Sequence, residues 1–384
     1  MQNSQDIRKS LEARWNAQLA RYSDILSSDS VSGSSPPSVF VGTQGYPRLN
    51  VGPMVPSDHG DTSILDAPER WLGKSLDEIV EYRLSLIRGV QKVSVSEPEG
   101  RYIEALQEVA MSDGPADSEM SFYKSIPPSI HFDDHSAPFG PVGRIQSAKF
   151  SDTSSHRRME RVYYDRDLLA RDAVLNLYEN DVEISRIQRC LSIGMMGRER
   201  KLVPTRWSIT ATDDIISSDM VSRILDYAVL DQYRVFHFAH IGNLFSVVLF
   251  PHRWLYEMTE AWYSNGALGF GSDHEDFRGM RHTPAIAGAY FAAKLAVAEY
   301  LERCGIQAGV FVLREIRPEY SIPVGVWQVR EGVRAAMRGE FLTPESFESA
   351  LDEAVRPMSI SKKEWLEHGA ISSLLRQSTI SEFF

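Results

Sequence analysis

Glycine and proline are concentrated in residues 34–61 (SSPPSVFVGTQGYPRLNVGPMVPSDHGD), and this segment constrains the fold more than any other. Proline lacks a backbone donor and glycine weakens a helix interior, so these residues cannot form a long helix. The apolar runs between them, SVFVG and RLNVG, are short and rich in β-branched side chains. The segment therefore predicts short strands joined by irregular loops.

Helix signals lie on both sides of that segment. Residues 4–26 have helical spacing, and Ser75 begins SLDE, a capping box for a helix that extends to Gly89. Thr283 and Gly305 are suited to begin and end an alanine-rich helix with Pro284 at its first position. Further helices are expected near 101–111, 219–230, 253–264 and 330–338, and strands near 244–250, 309–316 and 324–330, the last two close enough to form a hairpin.

These elements predict an α+β fold, with a mixed sheet, packed helices, two interwoven parts and a flexible C-terminal tail. The run SSDSVSGSSPPS is typical of a linker and marks the first boundary. We expect an N-terminal helix and linker at 1–33, an N-terminal domain at 34–160, a C-terminal domain at 161–368 and a tail at 369–384.

Composition excludes several classes of protein. The chain has 384 residues, of which 43% are hydrophobic and 24% charged, as expected for a folded protein of two or three domains. It has no apolar stretch of ~20 residues and no signal peptide, so we expect a cytoplasmic protein without a membrane partner. Two cysteines are too few for a disulfide framework or a four-cysteine metal site. The net charge of −11 repels nucleic acid, so any contact with DNA would require a local basic surface.

The last eight residues, QSTISEFF, carry the most specific functional signal. Gln377, Ile380, Phe383 and Phe384 occupy positions one, four, seven and eight, and in one tight turn the three apolar side chains share a face. Two phenylalanines near a chain end usually mark a partner site, although such a turn can also fold back on the protein's own core. The pattern resembles the PIP box of proteins that bind PCNA-type DNA sliding clamps.

Longer segments resemble a known family. Besides 34–56 and the terminal peptide, they are 199–214 (ERKLVPTRWSITATDD), 250–262 (FPHRWLYEMTEAW) and 320–331 (YSIPVGVWQVRE). Together they are similar to the archaeal Nre family of DNA repair proteins over nearly the whole chain. The resemblance implies DNA repair and association with PCNA, but no catalytic mechanism. Many Nre proteins begin with a cysteine-rich segment that resembles a zinc module; residues 1–33 here contain no cysteine, so no N-terminal zinc site is expected.

A basic segment contrasts with the acidic chain. Residues 186–206 contain six basic residues and one acidic residue, Glu199. Guanidinium groups bind phosphates in a bidentate manner, and Gly194 and Gly197 would let backbone amides approach as well. The alternative is a solvated face that pairs with carboxylates elsewhere. The predicted DNA-binding residues are Arg186, Arg189, Arg198, Arg200, Lys201 and Arg206.

Acidic residues supply the candidate catalytic positions. If residues 206–212 form a strand, Asp213 and Asp214 stand at its end and could bind a divalent cation, although such residues more often cap a helix. In the segment DHEDFRGMRH, oxygen ligands lie near two histidines, but the spacing matches no named metal motif and favours a polar loop. The candidates in this segment are Asp273, Glu275 and Asp276.

A second acidic pair depends on the predicted helix at 253–264. Glu257 and Glu260 would lie one turn apart on it, near Trp254 and Trp262. A carboxyl group lined by aromatic rings has a raised pKa and can act as an acid or base. A plain amphipathic helix is the simpler interpretation.

Three functions remain open for the folded body. The first is a non-catalytic DNA-binding adaptor, and the second is a metal-dependent nuclease. The third is a transferase that moves a group from a nucleotide cofactor such as NAD onto DNA, with Arg206, Trp207 and a glutamate in its pocket. The sequence does not decide whether the protein is an enzyme, nor whether it uses a divalent metal or NAD. It favours a DNA repair protein whose partners are DNA and the PCNA clamp.

Overall fold

The computed structural model describes residues 27–127, 138–151, 153–264 and 267–371. The described residues form two compact units, the first made of 27–216 with 322–325 and the second of 217–321 with 326–371. The expected helix at 4–26 and the QSTISEFF peptide lie outside the described residues.

A six-stranded mixed sheet forms the centre of the first unit. Its strand order is β1-β5-β6-β4-β3-β2, with β4 and β6 parallel and the other neighbours antiparallel. The prolines and glycines of the 34–61 segment separate its first three strands, as predicted. The strands are β1 (Ser30–Ser35), β2 (Val39–Val41), β3 (Arg48–Val55), β4 (Ile87–Ser94), β5 (Ala116–Phe122) and β6 (Val142–Ser151).

Helices complete the first unit. The capping box is confirmed, because the Glu78 amide donates to Ser75 Oγ at 3.2 Å and the Ser75 amide donates back to the Glu78 carboxylate at 2.9 Å. The helix is shorter than predicted and ends at Leu84, since Ile87 already pairs with β3. The helices are α1 (Leu76–Leu84), α2 (Arg101–Met111), α3 (Arg157–Tyr164), α4 (Ala170–Glu179), α5 (Ile184–Ser192) and α6 (Thr205–Ile224), the last extending into the second unit.

A five-stranded sheet, ordered β11-β10-β13-β9-β8, forms the centre of the second unit. Strands β10 and β13 are parallel, and the other neighbours are antiparallel. A short parallel pair, β7 and β12, lies in the same unit. The strands are β7 (Ala228–Val229), β8 (Arg234–His240), β9 (Asn243–Phe250), β10 (Leu255–Ser264), β11 (Ala267–Asp276), β12 (Ile306–Gln307) and β13 (Gly309–Ile316).

The predicted helix at 253–264 is wrong, because those residues form strand β10. Its backbone groups pair with β11 on one side and with β13 on the other. The hydrogen bonds of a helix are thus replaced by those of two strand pairs. The sequence LYEMTEAWYS is rich in aromatic side chains, which favour strands. The predicted strands at 244–250 and 309–316 are confirmed as β9 and β13.

The predicted strand at 324–330, and with it the hairpin, is also wrong. Residues from Trp327 to Arg338 form helix α8, which packs against β8 and β9. Gly332 allows this close approach, because a Cβ there would lie 2.4 Å from the ring of Phe245. The remaining helices of the second unit are α7 (Ala287–Cys304), α9 (Phe347–Val355) and α10 (Lys362–His368).

Each unit has its own apolar core. In the second unit, Val248, Phe311 and Leu313 of the sheet pack with Leu351 and Trp365 of the last helices. Together the two mixed sheets and ten helices of the described residues confirm the predicted α+β fold. No helix in the described part of the chain is long and apolar enough to cross a membrane.

Candidate nucleic-acid interface

The six predicted DNA-binding residues divide into internal and exposed groups. Arg189 is buried on α5, where its guanidinium donates to the carbonyl oxygen of Pro37 at 3.0 Å and pairs with Asp66 at 3.0 Å. Arg186, on the same helix, donates to the carbonyl oxygen of Ser112 at 2.6 Å. The Arg189 guanidinium is therefore engaged inside the first unit, and the DNA-binding prediction does not extend to it.

Asp66 is the centre of that internal network. It is buried and pairs with Arg83 and Arg189, and it accepts a hydrogen bond from Ser38. Burial acts to raise the pKa of Asp66, but the two guanidinium groups outweigh it and hold the pKa below its ordinary value. The carboxylate therefore stays charged, and it joins α1, α5 and the loop before β2.

The exposed members of the predicted set are Arg198, Lys201 and Arg206. Arg198 Nε donates to the carbonyl oxygen of Asp167 at 2.7 Å, and Lys201 pairs with Glu199 at 3.2 Å across an exposed surface. Exposed ion pairs of this kind are weak and exchange readily for a phosphate. Contact with DNA through these three residues stays a prediction.

Trp207 follows Arg206 at the start of α6 and is 54% exposed. An exposed indole next to an arginine is a surface on which a base can stack.

Arg200 points to a group of basic residues that the sequence analysis missed. Its guanidinium donates to the carbonyl oxygen of Tyr163 and lies 5.0 Å from the centre of the Tyr163 ring. Helix α3 and the loop after it therefore lie beside the 198–201 loop. The run RRMERVYYDRD, with its arginines and adjacent tyrosines, was the signal in the sequence. Residues 157–171 contain five exposed arginines: Arg157, Arg158, Arg161, Arg166 and Arg171.

Asp213 and Asp214 do not stand at the end of a strand, because residues 205–224 form helix α6. Asp213 is fully buried and its carboxylate lies 3.5 Å from Gln188 Nε2. The strand prediction failed because Ser208 and Thr212 are also buried on this helix, so its polar residues do not mark a solvent face.

The acids of the 273–282 segment lie at the end of strand β11 and make structural contacts. Asp273 accepts hydrogen bonds from the amides of Ala285 at 2.9 Å and Ile286 at 2.7 Å, and it contacts His282 at 3.1 Å. The N-cap position of α7 is Ile286 and not Thr283, and Asp273 holds the two amides that lead into the helix. Asp276 accepts from the amide of Arg278 at 2.7 Å within a turn.

Glu275 faces a buried polar network on the same strand. Its carboxylate accepts hydrogen bonds from Trp254 Nε1 at 3.0 Å, the Tyr290 hydroxyl at 3.0 Å and Lys294 Nζ at 2.8 Å. Both members of the Glu275–Lys294 pair are buried. These hydrogen bonds compensate the Glu275 carboxylate for the loss of its hydration. The Glu275–Lys294 pair therefore joins β11 to α7.

Glu257 and Glu260 lie on strand β10 and not one helical turn apart. Glu260 pairs with Arg314 at 2.9 Å. The buried Glu257 accepts hydrogen bonds from Thr259 Oγ1 at 2.9 Å and from the amide of Ala370 at 3.0 Å. Burial raises the pKa of Glu257 to about 7. Its partners are backbone and hydroxyl groups, so the contact anchors the last described residues.

The carboxylates do not converge on a common point. Within the described ranges, no group of three or more His, Cys, Asp and Glu side chains is arranged to hold a metal ion. Asp273 and Glu275 are occupied by a helix end and by an ion pair respectively.

The first unit also contains an open cleft of 690 Å³ between the ends of β3 and β4 and the start of α2. Its basic lining residues are Arg48, Lys92 and Arg101, and its acidic ones are Glu97 and Glu99. Open polar clefts of this size, in the range of about 300–1,000 Å³, accommodate small ligands or single nucleotides.

The fold and this surface define an α+β protein with two sheet-centred units and an arginine-rich face on the first. The chain belongs to the archaeal Nre family: the model of the family's N-terminal part matches residues 8–268, and that of its C-terminal part matches residues 275–383. No solved structure gives a significant match.

Curated relatives agree with this membership. The chain is 40% identical to the DNA repair protein NreB of Archaeoglobus fulgidus over 360 residues, which cover 91% of each protein. It is 36% identical to the DNA repair protein NreA of the same organism, over 91% of this chain and 89% of that protein. It is 30% identical to the DNA repair protein NreA of Haloferax volcanii, over 94% of this chain and 89% of that protein.

Proposed function

We propose that this protein acts in DNA repair and is brought to DNA by binding a PCNA-type sliding clamp through residues 377–384 (QSTISEFF). Relatives that align with more than nine-tenths of the chain are named DNA repair proteins, which supports the role in repair. Because the DNA of an archaeal cell lies in the cytoplasm, we expect the protein to act there.

The single observation that carries clamp binding is the residue pattern of the 377–384 peptide. A glutamine is followed at three-, six- and seven-residue intervals by Ile380, Phe383 and Phe384, and the positions between them are Ser, Thr and Glu. The family's C-terminal model extends to residue 383, so the match includes most of the peptide. An apolar plug with one amide beside it fits a hydrophobic groove on a partner.

The described body ends shortly before this peptide. Glu257 holds the amide of Ala370, and Ile371 is buried in the core of the second unit. Gly369 permits this contact, because a Cβ there would lie 2.3 Å from Glu257 Oε1. Five residues, 372–376, separate Ile371 from Gln377. Binding through the peptide therefore tethers the folded body directly to the clamp and raises its local concentration near DNA.

Exposed basic residues of the first unit would then contact the DNA backbone. Arg198, Lys201 and Arg206 present cationic groups on a protein of net charge −11. A protein with this net charge is repelled by DNA at long range, so attachment to the clamp and a local basic surface act together.

Calorimetry with purified archaeal sliding clamp tests the role of the peptide. The double variant Phe383→Ala/Phe384→Ala is expected to lose at least tenfold in affinity, because it removes two buried aromatic anchors. The matched control is Thr379→Ala/Ser381→Ala, which changes two polar positions of the same peptide and should bind as the unmodified chain does. Equal loss in both variants, or no loss in either, would contradict the proposed binding mode.

A further inference from the structure

Tyr163, Tyr164, Arg166, Arg198 and Arg200 form a continuous patch on the first unit, here called the Tyr164 surface. The guanidinium carbons of Arg200 and Arg166 lie 5.0 and 5.9 Å from the centre of the Tyr163 ring. Tyr164 packs edge-on against Tyr163, with ring centres 5.2 Å apart. Tyr164 itself is 70% exposed, so its side chain is open to solvent.

The two segments that meet at Tyr163 each carry an excess of positive charge. Residues 157–171 contain five arginines against Glu160, Asp165 and Asp167, and residues 198–201 contain three cations against Glu199. The excess is two positive charges in each segment, on a chain of net charge −11. Burial, and then the neighbouring Arg166, lowers the pKa of Arg200, while Glu99 acts against them. Two guanidinium groups that repel each other across one ring form a site that an anion would stabilise.

The 198–201 loop of the Tyr164 surface lies next to the segment that lines the open cleft of the first unit. The amide of Leu202, next to the 198–201 loop, donates to the carbonyl oxygen of Val95 at 2.9 Å. Val95 directly follows Ser94, which lines the cleft. Glu99 lines the cleft as well and is close enough to Arg200 to influence its pKa. The 198–201 loop thus lies beside the cleft, whose charged lining residues are Arg48, Lys92 and Arg101 together with Glu97 and Glu99.

From this arrangement we propose that the Tyr164 surface and the adjoining cleft bind single-stranded DNA, with one unpaired base stacked on Tyr164 and a neighbouring nucleotide in the cleft. The inference rests on the proposed role in DNA repair and adds to it the class of DNA structure that the folded body recognises.

The chemistry of the two parts matches the two parts of a nucleotide. Arginine forks bind phosphate oxygens, and a tyrosine ring open on one face offers a stacking surface of the kind that binds any base. In the cleft, Arg48, Lys92 and Arg101 can bind the phosphate of a neighbouring nucleotide. In duplex DNA the bases stack on each other, so a base can stack on Tyr164 only after it is unpaired and turned out of the helix.

Fluorescence anisotropy with a labelled 20-nucleotide oligo(dT) and a duplex of equal length tests the inference on the full chain. Oligo(dT) is expected to bind more tightly than the duplex. Tyr164→Ala should weaken oligo(dT) binding about fivefold or more, since one stacked base contributes roughly that factor at least. Tyr164→Phe keeps the ring and should bind as the unmodified chain does. The matched control is Tyr263→Ala, which removes another exposed tyrosine from the second unit.

Charge variants test the cleft separately. Arg48→Gln/Lys92→Gln is expected to weaken oligo(dT) binding and to reduce its dependence on salt, whereas Arg278→Gln/Arg281→Gln, two exposed arginines of the second unit, should leave both unchanged. Unchanged oligo(dT) affinity in Tyr164→Ala, or preference for the duplex, would overturn the inference. Equal or tighter binding of oligo(U) would overturn it in favour of an RNA site.

Clamp calorimetry on the same variants separates this inference from the proposed function. Tyr164→Ala should bind the clamp as the unmodified chain does, because residues 377–384 are intact. Loss of clamp binding by the Phe383→Ala/Phe384→Ala variant with normal oligo(dT) binding supports both conclusions. A chain that binds oligo(dT) through Tyr164 but never binds the clamp contradicts only the proposed clamp docking, and the reverse result contradicts only the single-strand site.

Discussion

Arg189 and Arg198 are nine positions apart and illustrate how burial decides the role of a charged residue. Arg189 is covered and paired with Asp66, whereas Arg198 lies on the surface and contacts one carbonyl oxygen. The sequence shows two arginines in one basic segment. Only the packing of α5 against Asp66 distinguishes a structural cation from one that can meet a phosphate.

This difference predicts opposite effects of the same substitution. Arg189→Gln is expected to destabilise the fold by about 3–5 kcal/mol, because it leaves the buried Asp66 without one of its cations. Arg198→Gln should change stability by less than about 0.5 kcal/mol, as is usual for an exposed residue. Urea unfolding of both variants measures this, and equal stability losses would contradict the assignment.

Glu257 is the residue whose protonation matters most for stability near neutral pH. Burial raises its pKa from 4.5 to about 7, so the folded carboxyl group binds its proton more tightly than the unfolded one. Its stabilising contribution is therefore fully present below pH 4.5 and is lost as the pH rises towards about 7. The size of this loss is roughly 3 kcal/mol, at about 1.36 kcal/mol for each pKa unit.

Replacing Glu257 by glutamine should flatten this dependence, because an amide does not ionise. We expect the free energy of unfolding of the unmodified chain to fall between pH 5 and pH 8 and that of Glu257→Gln to change by clearly less. Glu345→Gln, at an exposed position, serves as the control. Urea unfolding at the two pH values measures the effect, and parallel pH profiles for the two proteins would count against it.

Among the elements, those with strong local signals were predicted well. The capping box of Ser75, the glycine- and proline-rich strands of residues 34–61 and the left-handed Gly305 after α7 all depend on a few adjacent residues. In each case the local preference agrees with the final structure, so the sequence alone was enough to predict these three features.

Elements decided by distant contacts were missed. Strand β10 pairs with β11, which follows it in the chain, and with β13, whose partner residues are 54 positions further on. The sequence LYEMTEAWYS satisfies helical as well as strand spacing. The start of helix α8 was predicted as a strand because VGVWQVR has alternating apolar residues. In the structure, Gly332 lets the helix pack closely against the ring of Phe245. The arginines of α3 were overlooked because only the folded chain brings them beside the 198–201 loop.

The start of α7 gives an element-scale prediction. Asp273 is contributed by another element, strand β11, and accepts the two amides before the helix. Asp273→Ala is expected to lose about 1–3 kcal/mol of stability, because two partly buried amides lose their acceptor. Asp273→Asn keeps one acceptor oxygen and should lose less. Thermal or urea unfolding measures these losses. Full stability in Asp273→Ala would contradict the stabilising role of Asp273 at the start of α7.

At the scale of the whole molecule, an acidic protein is proposed to work on an acidic polymer. Attachment to a clamp removes the need for strong long-range attraction, and local arginines then provide the binding to phosphates. This combination predicts that binding to free DNA is weak and depends strongly on salt concentration. Binding to the clamp is expected to depend much less on salt concentration.

The salt dependence of DNA binding can be measured residue by residue. Replacing Arg198, Lys201 and Arg206 together by glutamine should reduce the slope of log affinity against log salt by about 0.7–0.9 for each phosphate that is no longer neutralised. Anisotropy titrations at several salt concentrations provide the slope. An unchanged slope would show that these three residues do not bind the DNA backbone.

The central claim is tested most directly by the affinity of the purified sliding clamp for the full chain and for a chain that ends at Arg376. The account predicts binding at about micromolar strength or better for the full chain. It also predicts that binding disappears in the truncated chain while the two-unit fold persists by circular dichroism. Equal binding by both chains, or binding by neither, would contradict the role of the 377–384 peptide as the clamp-docking segment.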